Sequence, residues 1–266
     1  MSDPRITLDQ SLCTRADAAR IVRPVVDLCR APEGARDRQL LFGESVTVHG
    51  DVGEWCYVQA RKDGYCGYVR AEALGEVSEP THVVTAPATH LYAEADFKSP
   101  DRMSLSFGSL VTVLADAGRY LETAEGYVPR THISPLPHLF EDPAAVAALF
   151  LGTPYLWGGN SRFGIDCSGL VQAALLACGT ACPGDSDMQE TLGKAAEGGY
   201  VRNDLLFWKG HVALVVDAER LIHANAHAMA VVHEPIEAAI ARIAAQGDGP
   251  VTGHRRVELG ATPPRG

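Results

Sequence analysis

Cys167, His211 and His223 are the residues of this 266-residue chain whose types and surroundings best suit covalent catalysis. Cys167 follows a glycine-rich stretch and an aspartate, within Gly-Gly-Asn-Ser-Arg-Phe-Gly-Ile-Asp-Cys-Ser-Gly-Leu-Val (158–171). A cysteine thiolate is a strong nucleophile, and a histidine can accept the thiol proton near neutral pH. The three residues therefore indicate a nucleophile, a general base and a second imidazole that orients the base.

A helix is predicted to begin at Cys167. Asp166 is a natural N-cap, and Gly179 can end the helix. Between them, apolar residues recur at three- and four-residue spacing: Leu170, Val171, Ala174, Leu175 and Cys178. A cysteine in the first turn is favoured as the thiolate, because free backbone N–H groups and the helix dipole stabilise negative charge there.

The two histidines fall on two predicted strands, 211–216 and 221–224, which a turn at 217–219 connects. A three-residue connection would set Val216 opposite Arg220 and Ala213 opposite His223. His211 and His223 would then be diagonal neighbours on one face, roughly 7–8 Å apart at the backbone. A slip of one residue would place them on opposite faces, so the chemistry depends on this register.

The first half of the chain contains a repeat. Segments 41–48 and 106–113 each combine Phe-Gly with an alternating Val-Thr-Val run, and a turn, a strand-like run and a Gly-Tyr-Val ending follow both. Short alternating runs separated by Gly and Asp turns predict small β-barrels, and two copies predict two barrels in tandem. The copies are not chemically equivalent, because Ser109 stands where the first copy has Glu44.

The rest of the chain reads as an α+β domain, in which a helical segment from Ala144 to Phe150 precedes the strands. The chain is therefore predicted to consist of five parts: an N-terminal extension (1–20), a first barrel (21–79), a second barrel (80–137), an α+β domain (138–258) and a C-terminal tail (259–266).

Bulk properties narrow the class of partner. The formal net charge of −10 argues against nucleic acid or an anionic membrane as the main partner. Residues 1–20 show no signal-peptide pattern, no spanning segment is visible, and the seven cysteines have no pairing framework. Together these features predict a cytoplasmic protein with free thiols, and they leave the oligomeric state open.

Six motifs occur in the order typical of the NlpC-type cell-wall peptidases, which are papain-like cysteine peptidases. The motifs are Pro154-Tyr155-Leu156-Trp157-Gly158-Gly159, Asp166-Cys167-Ser168-Gly169-Leu170-Val171, Asp185-Ser186, Asp204-Leu205-Leu206-Phe207, Gly210-His211-Val212 and Ile222-His223-Ala224. They cover about residues 140–257, and the repeats before them resemble bacterial SH3-like domains. The resemblance implies a multidomain chain: two small all-β SH3-like barrels followed by an α+β papain-like catalytic domain.

With two barrels in front, the chain is most similar to the γ-D-glutamyl-L-diamino-acid endopeptidases that recycle murein peptides. The resemblance implies hydrolysis of the bond between γ-D-Glu and a diamino acid (meso-diaminopimelate or Lys) in murein-derived peptides with a free N-terminal L-Ala. It implies Cys167 as the nucleophile, His211 as the base and His223 as the orienting residue. It implies no cofactor and no metal.

The resemblance also implies substrate contacts. Tyr155 would help to shape the oxyanion site or S1 region alongside the backbone N–H of Cys167. Asp185, assisted by Glu44 and Tyr65, would meet the free ammonium group. The complete set of implied substrate-binding residues is Asp166, Ser168, Asp185, Ser186, Glu44, Tyr65 and Trp157. The chain departs from the family pattern in two places. No arginine precedes Asp185, and Arg202-Asn203-Asp204-Leu205 replaces the usual Pro-Gly-Asp-Leu, a change that is expected to alter only a turn.

Several alternatives stay open at this point. Trp157 can be a core aromatic and Glu44 an exposed barrel acid. Cys178-x3-Cys182 with His223-x3-His227 imitates a zinc site, although zinc-binding histidine pairs usually lie on a helix. The same Cys–His site would also suit a non-murein amidase or acyltransferase, and an inactive last domain would leave a wall-peptide binding protein.

Overall fold

A computed structural model describes residues 3–260 of the chain. The chain divides between His138 and Leu139 into two compact units. Within residues 3–260, no helix combines the length and the apolar character needed to cross a membrane.

Short antiparallel strands build the first unit. They are β1 (Asp17–Ile21), β2 (Val25–Cys29), β3 (Arg36–Leu41), β4 (Ser45–Val52), β5 (Trp55–Ala60), β6 (Cys66–Arg70), β7 (Leu74–Gly75), β8 (His82–Val84), β9 (Ala88–Tyr92), β10 (Asp101–Ser106), β11 (Leu110–Val111), β12 (Val113–Ala117), β13 (Tyr120–Thr123), β14 (Gly126–Pro129) and β15 (Ile133–Pro135). Single 3-10 turns lie at Gln10–Leu12, Ala71–Ala73 and Arg130–His132.

The strands form two barrels in tandem, which confirms the prediction. The first barrel is a seven-stranded sheet in the order β3-β2-β6-β5-β4-β1-β7. The second combines a five-stranded sheet, β10-β9-β14-β13-β12, with a three-stranded sheet, β11-β8-β15. Gly43 and Gly108 take the same left-handed conformation at the repeated Phe-Gly, with φ of 81° and 84°. The sequence repeat therefore corresponds to a structural repeat.

The two barrels share part of their interior. Phe42 precedes β4 in the first barrel, yet its side chain belongs to the core of the second barrel. The other buried residues of that core are Val84, Leu91, Leu105, Val111, Leu121, Val128 and Ile133. The Leu110 backbone N–H donates to the Phe42 carbonyl at 2.9 Å. Arg20 and Glu125 form an ion pair at 2.8 Å between the same two barrels. These contacts explain why the barrels form one compact unit.

The first barrel starts before the predicted boundary at residue 21. Strand β1 begins at Asp17 and pairs with β4. Even earlier residues contact the barrel, since the carbonyl of Arg5 accepts from the Cys66 N–H at 2.7 Å. The Asp9 N–H also donates to the Tyr57 hydroxyl at 3.1 Å. Much of the predicted N-terminal extension is therefore part of the barrel.

The second unit combines helices with a six-stranded antiparallel sheet in the order β18-β23-β19-β20-β21-β22. Its helices are α1 (Pro143–Ala148), α2 (Cys167–Ala177), α3 (Ser186–Gln189) and α4 (Ile236–Gln246). Its strands are β16 (Asn160–Ser161), β17 (Gly164–Ile165), β18 (Lys194–Ala195), β19 (Leu205–Trp208), β20 (His211–Val215), β21 (Arg220–Asn225), β22 (Ala230–Pro235) and β23 (Gly253–Arg256).

Packing of helices on the sheet positions the residues of interest. Helix α2 packs against β20 and β21, the strands that carry the two histidines, and α1 packs against α2. Helix α4 packs Ile236, Ala239 and Ile243 against an apolar cluster of the sheet: Leu206, Trp208, Ala213, Val215 and Leu221. Apolar residues fill β20 continuously after His211, as expected for a strand covered on both faces.

Candidate active site

Cys167 is the first residue of α2 and is only 7% exposed. Asp166 caps this helix as predicted: its Oδ1 accepts from the Gly169 N–H at 2.6 Å and from the Ser168 hydroxyl at 3.0 Å. Its Oδ2 accepts from the Gly158 N–H at 2.9 Å. The carboxylate therefore joins the start of the helix to the glycine-rich loop, and it holds Cys167 at the helix N-terminus. Substrate contact by Asp166 and Ser168 stays a prediction.

The loop that carries Asp185 is joined to the start of α2 by Gln189. This buried amide donates from Nε2 to the carbonyls of Ser168 and Pro183, both at 2.9 Å. Asp185 is half-buried at the N-cap of α3, and Ser186 is the first residue of that helix. Gln189 thus keeps the predicted substrate-binding loop beside the residue that follows the nucleophile.

The two histidines meet as the register predicted. Leu214 pairs with Ile222 and Val215 with Leu221, so Ala213 lies opposite His223. His211 Nε2 lies 2.9 Å from His223 Nδ1, a hydrogen-bonding distance. The Trp208 ring lies 5.7 Å from the His211 ring between centroids. The bond occupies Nε2 of His211, so Nδ1 is the ring nitrogen left for a proton from the nucleophile.

Both imidazoles are neutral near pH 7. Burial holds the pKa of His211 far below its ordinary value of 6.5, and the neighbouring His223 and Arg242 lower it further, whereas Glu234 raises it. Burial also lowers the pKa of His223, and here Glu234 opposes the effect of burial more strongly than Arg242 adds to it. A neutral imidazole is ready to accept a proton, so His211 suits the role of a general base.

Tyr155 is close enough to Cys167 for negative charge on the thiolate to affect the Tyr155 phenol. Burial raises the pKa of the Tyr155 phenol, and negative charge on Cys167 and on Asp166 raises it further. The hydroxyl therefore stays protonated and can donate a hydrogen bond, which an oxyanion requires. The backbone of Tyr155 is fixed by its N–H, which donates to the Met229 carbonyl at 3.0 Å.

Trp157 is not a core residue. Its side chain is 70% exposed, although it stands between the half-buried Leu156 and the buried Gly158. Burial of a large apolar side chain is normally favourable by about 1.5–3 kcal/mol. An exposed tryptophan in this loop therefore suits a residue that contacts a ligand.

Glu44 and Tyr65 belong to the first unit, and neither is exposed. The Glu44 side chain is 14% exposed and forms an ion pair with Lys62 Nζ at 2.8 Å, so the exposed-acid alternative is wrong. Its second oxygen, Oε2, is buried and has no hydrogen-bond partner among the described residues. Burial raises the pKa of Glu44, and Lys62 opposes that rise. Tyr65 is 3% exposed.

Two charged residues behind His223 were not predicted from the sequence. Glu234 Oε2 lies 3.0 Å from His223 Nε2, and Arg242 of α4 donates two hydrogen bonds to the same carboxylate, at 2.9 and 2.7 Å. Glu234 stands on β22, where Val232 is opposite His223, so Glu234 is a diagonal neighbour of that histidine. Pairing the segment 230–235 with the second histidine strand would have revealed it.

The zinc alternative finds no support in the geometry. His223 lies in β21 and contacts His211 and Glu234. Over residues 3–260, no group of three or more His, Cys, Asp and Glu side chains is arranged to hold a metal ion. None of the seven cysteines forms a disulfide.

Two family models match the chain. The family described as the bacterial dipeptidyl-peptidase Sh3 domain matches residues 28–74. The NlpC/P60 family matches residues 152–242, a range that contains Cys167, His211 and His223. The matched ranges therefore cover most of the first barrel and the candidate site.

Named relatives match along most of the chain. Over 213 residues the chain is 33% identical to the γ-D-glutamyl-L-lysine dipeptidyl-peptidase of Bacillus subtilis (strain 168), covering 70% of this chain and 71% of that protein. Over 221 residues it is 29% identical to dipeptidyl-peptidase 6 of Lysinibacillus sphaericus, covering 70% and 79%. A crystal structure of an NlpC/P60 family protein from Bacillus cereus ATCC 10987 superimposes with a TM-score of 0.75 at 22% identity, covering 90% of this chain and 99% of that one. The last match shows a shared fold.

Proposed function

This chain belongs to the NlpC/P60 family of cysteine peptidases, and from that premise we propose that it hydrolyses the γ-D-glutamyl to L-diamino acid bond of murein peptides. The proposed substrate carries a free N-terminal L-Ala, and the proposed role is the recycling of cell-wall peptides. The observation that carries the chemistry is the hydrogen-bonded pair of His211 and His223 on the strands against which the Cys167 helix packs.

The proposed reaction proceeds through a thioester. Cys167 Sγ attacks the γ-carbonyl carbon of D-Glu while its thiol proton passes to His211 Nδ1. The tetrahedral oxyanion accepts hydrogen bonds from the Cys167 N–H, which the helix itself does not use, and from the protonated Tyr155 hydroxyl. Collapse breaks the C–N bond, and His211 returns the proton to the leaving amine. Water then attacks the thioester with His211 again as the base, the C–S bond breaks, and His211 returns the proton to the Cys167 sulfur as the dipeptide acid leaves.

The substrate class rests on the relatives and on an acidic group of this chain. One of these relatives is a γ-D-glutamyl-L-lysine dipeptidyl-peptidase, and another is dipeptidyl-peptidase 6. A free ammonium group needs acceptors. We assign Asp185 to it, because Asp185 is half-buried in the loop that Gln189 joins to α2. Ser186 and Trp157 complete the proposed contacts of the second unit.

The first experiment supplies the purified chain with L-Ala-γ-D-Glu-meso-diaminopimelate and with the corresponding L-Lys tripeptide. Mass spectrometry is expected to show L-Ala-γ-D-Glu and the free diamino acid, and the ratio of the two rates gives the diamino-acid preference. Cys167→Ala should abolish turnover. Cys178→Ala is the matched control, because it removes another buried thiol from the end of the same helix and should leave turnover intact. Equal turnover by wild type and Cys167→Ala, or none by either, rejects the proposal.

A second experiment separates the peptidase from an amidase or acyltransferase that ignores the peptide N-terminus. Acetylating the L-Ala amine removes the positive charge. A site that pairs Asp185 with an ammonium then loses a charge-assisted hydrogen bond, which weakens binding of the acetylated peptide. The acetylated tripeptide should therefore be cleaved far more slowly than the free one. Equal rates for the two tripeptides would favour the non-murein alternative. If Cys167 does not react with iodoacetamide, the inactive binding protein is favoured.

A further inference from the structure

An ionised carboxylate stands at the far end of the histidine pair. Glu234 Oε2 lies 3.0 Å from His223 Nε2, and the two hydrogen bonds from Arg242 hold the carboxylate in place. Those bonds lower the pKa of Glu234, so it carries a negative charge near pH 7. The polar atoms therefore follow one another from Arg242 through Glu234 and His223 to His211.

A competing group faces the same ring nitrogen. Asn225 Nδ2 lies 2.8 Å from His223 Nε2. The orientation of this amide is set by its oxygen, because Asn225 Oδ1 accepts from the Ala228 N–H at 2.7 Å. Asn225 thus offers a donor to Nε2, whereas Glu234 offers an acceptor. A neutral imidazole can satisfy only one of them, since Nε2 either carries the proton or does not.

The two choices have opposite consequences for the base. If Nε2 of His223 carries the proton, its Nδ1 accepts from His211 Nε2–H, and His211 Nδ1 is left unprotonated. If Nε2 is bare, Nδ1–H of His223 donates to His211, and the remaining proton of His211 sits on Nδ1, where it blocks proton transfer from a thiol. Hydrogen bonds to an ionised carboxylate are roughly twice as strong as those between neutral groups. Glu234 therefore prevails over Asn225.

We propose that Glu234, held by Arg242, is a positioning residue that fixes the Nε2–H tautomer of His223 and, through it, the unprotonated Nδ1 of His211. The inference rests on the proposed function only in taking His211 as the base. It extends the series of Cys167, His211 and His223 by a carboxylate that supplies the charge the second histidine lacks. The same carboxylate stabilises the histidine pair when His211 gains the thiol proton.

The tautomer of His223 in the wild-type chain is enough to overturn the proposal. Nitrogen-15 labelling of the histidines distinguishes a protonated ring nitrogen from a bare one by NMR, and His223→Gln assigns the signals of His223. The expected spectrum shows His223 as the Nε2–H tautomer near neutral pH. A spectrum showing the Nδ1–H tautomer would reject the role of Glu234 without any activity measurement.

Variants then separate positioning from simple structural support. Glu234→Gln keeps the shape and removes the charge, whereas Arg242→Gln breaks the same ion pair but leaves the carboxylate on His223. Glu234→Gln should shift His223 towards the Nδ1–H tautomer and slow the alkylation of Cys167 by iodoacetamide on the order of 100-fold, within the range that a general base contributes. Arg242→Gln should keep the Nε2–H tautomer of His223, and the alkylation of Cys167 should slow much less than in Glu234→Gln. Glu237→Gln, which removes an exposed carboxylate at the start of α4, controls for net charge.

The kinetic readout distinguishes this inference from the proposed function. With the tripeptide as substrate, Glu234→Gln should lower kcat and kcat/KM equally, because the positioned base acts only in the transition state. Equal losses in Glu234→Gln and Arg242→Gln would show that the pair is merely structural and reject the inference. Absence of tripeptide cleavage by the wild type, with the tautomer and alkylation results as expected, would reject the proposed substrate and support the positioning role.

Discussion

At the level of single residues, the site contains a cysteine at a helix start and two imidazoles that burial keeps neutral. A neutral His211 can receive the thiol proton, whereas a permanently protonated one could not. The helix N-terminus favours the thiolate that results from this transfer. The charge separation is therefore created during the reaction, with the helix end on one side and the Glu234 carboxylate on the other.

Replacing each histidine should show their unequal roles. His211→Ala removes the base and should lower kcat by on the order of 10²–10⁴-fold. His223→Ala leaves the base in place but without its partner at Nε2, so the loss should be smaller. Steady-state cleavage of the tripeptide gives both values, and the exposed His233 serves as the control in His233→Ala. A larger loss from His223→Ala than from His211→Ala would contradict the assignment.

The burial of His223 should make the second unit sensitive to acid. The pKa of His223 falls from 6.5 to about 4 on folding, so below about pH 6.5 the unfolded chain binds a proton that the folded chain does not. The stability that neutral His223 contributes is therefore fully present above the unfolded pKa, and it is lost as the pH falls from about 6.5 towards 4. At about pH 5 the loss from His223 alone is about 2 kcal/mol, since one pKa unit corresponds to roughly 1.4 kcal/mol.

Urea unfolding at about pH 7.5 and about pH 5 tests this sensitivity. Tryptophan fluorescence in a Trp55→Phe background reports on Trp157 and Trp208 of the second unit. His223→Gln should reduce the difference in unfolding free energy between the two pH values by about 2 kcal/mol. The exposed His233→Gln should not change it. If both variants keep the full difference, burial of His223 is not its source.

At the level of elements, helix α2 and the turn between β20 and β21 were predictable because their signals are local. The apolar spacing, the Asp166 cap and the short connection at 217–219 lie within a few residues of what they determine. The structure confirms the helix start, the cap and the strand register. These are the elements that carry Cys167, His211 and His223.

The contacts that escaped prediction join segments that are distant in the chain. Glu234 and Arg242 reach His223 only because β22 pairs with β21 and α4 follows it, and the sequence analysis placed no strand at 230–235. Asn203 was interpreted as altering only a turn. It does take a left-handed conformation with φ of 74°, but its side chain also accepts from the Ala144 N–H at 2.9 Å and so helps to cap α1. Neither contact has a local signal.

The Asp166 cap should be worth more than an ordinary helix cap. Asp166→Ala removes the acceptor of the Gly169 N–H and leaves the buried Gly158 N–H unpaired, so we expect a loss of about 2–3 kcal/mol. Asp142→Ala is the control, because Asp142 also caps a helix, and although it loses a half-exposed ion pair with Arg202, the Ala144 N–H keeps Asn203 as a second acceptor. Its loss should be closer to 1 kcal/mol, the roughly typical value for a cap. Urea unfolding measures both, and equal losses would contradict the argument.

At the level of the whole molecule, the close approach of the two barrels depends on Gly43. A Cβ at this position would lie 2.1 Å from the Leu110 carbonyl oxygen, and φ is 81°. Gly108, its counterpart in the second repeat, has φ of 84° but a nearest contact of 3.8 Å. Gly108→Ala should therefore cost only the conformational penalty of about 1–2 kcal/mol. Gly43→Ala should cost more, because backbone of the second barrel has to move.

Thermal unfolding of the full chain compares the two alanine variants directly. The excess destabilisation of Gly43→Ala over Gly108→Ala isolates the contact between barrels from the left-handed conformation that both glycines share. A difference of 1 kcal/mol corresponds to about 2–4 °C in Tm for a unit of this size. Identical Tm shifts in the two variants would mean that the contact between the barrels at Gly43 contributes nothing to stability.

Phe42 has a consequence for the history of the repeat. Its codon lies with one barrel, but its ring completes the interior of the other. A recombination event that transferred residues 80–137 alone would deliver a module lacking a large aromatic, and losing a buried phenylalanine typically destabilises a domain by about 3–5 kcal/mol. Domain shuffling should therefore move the duplicated pair together, as a single heritable block.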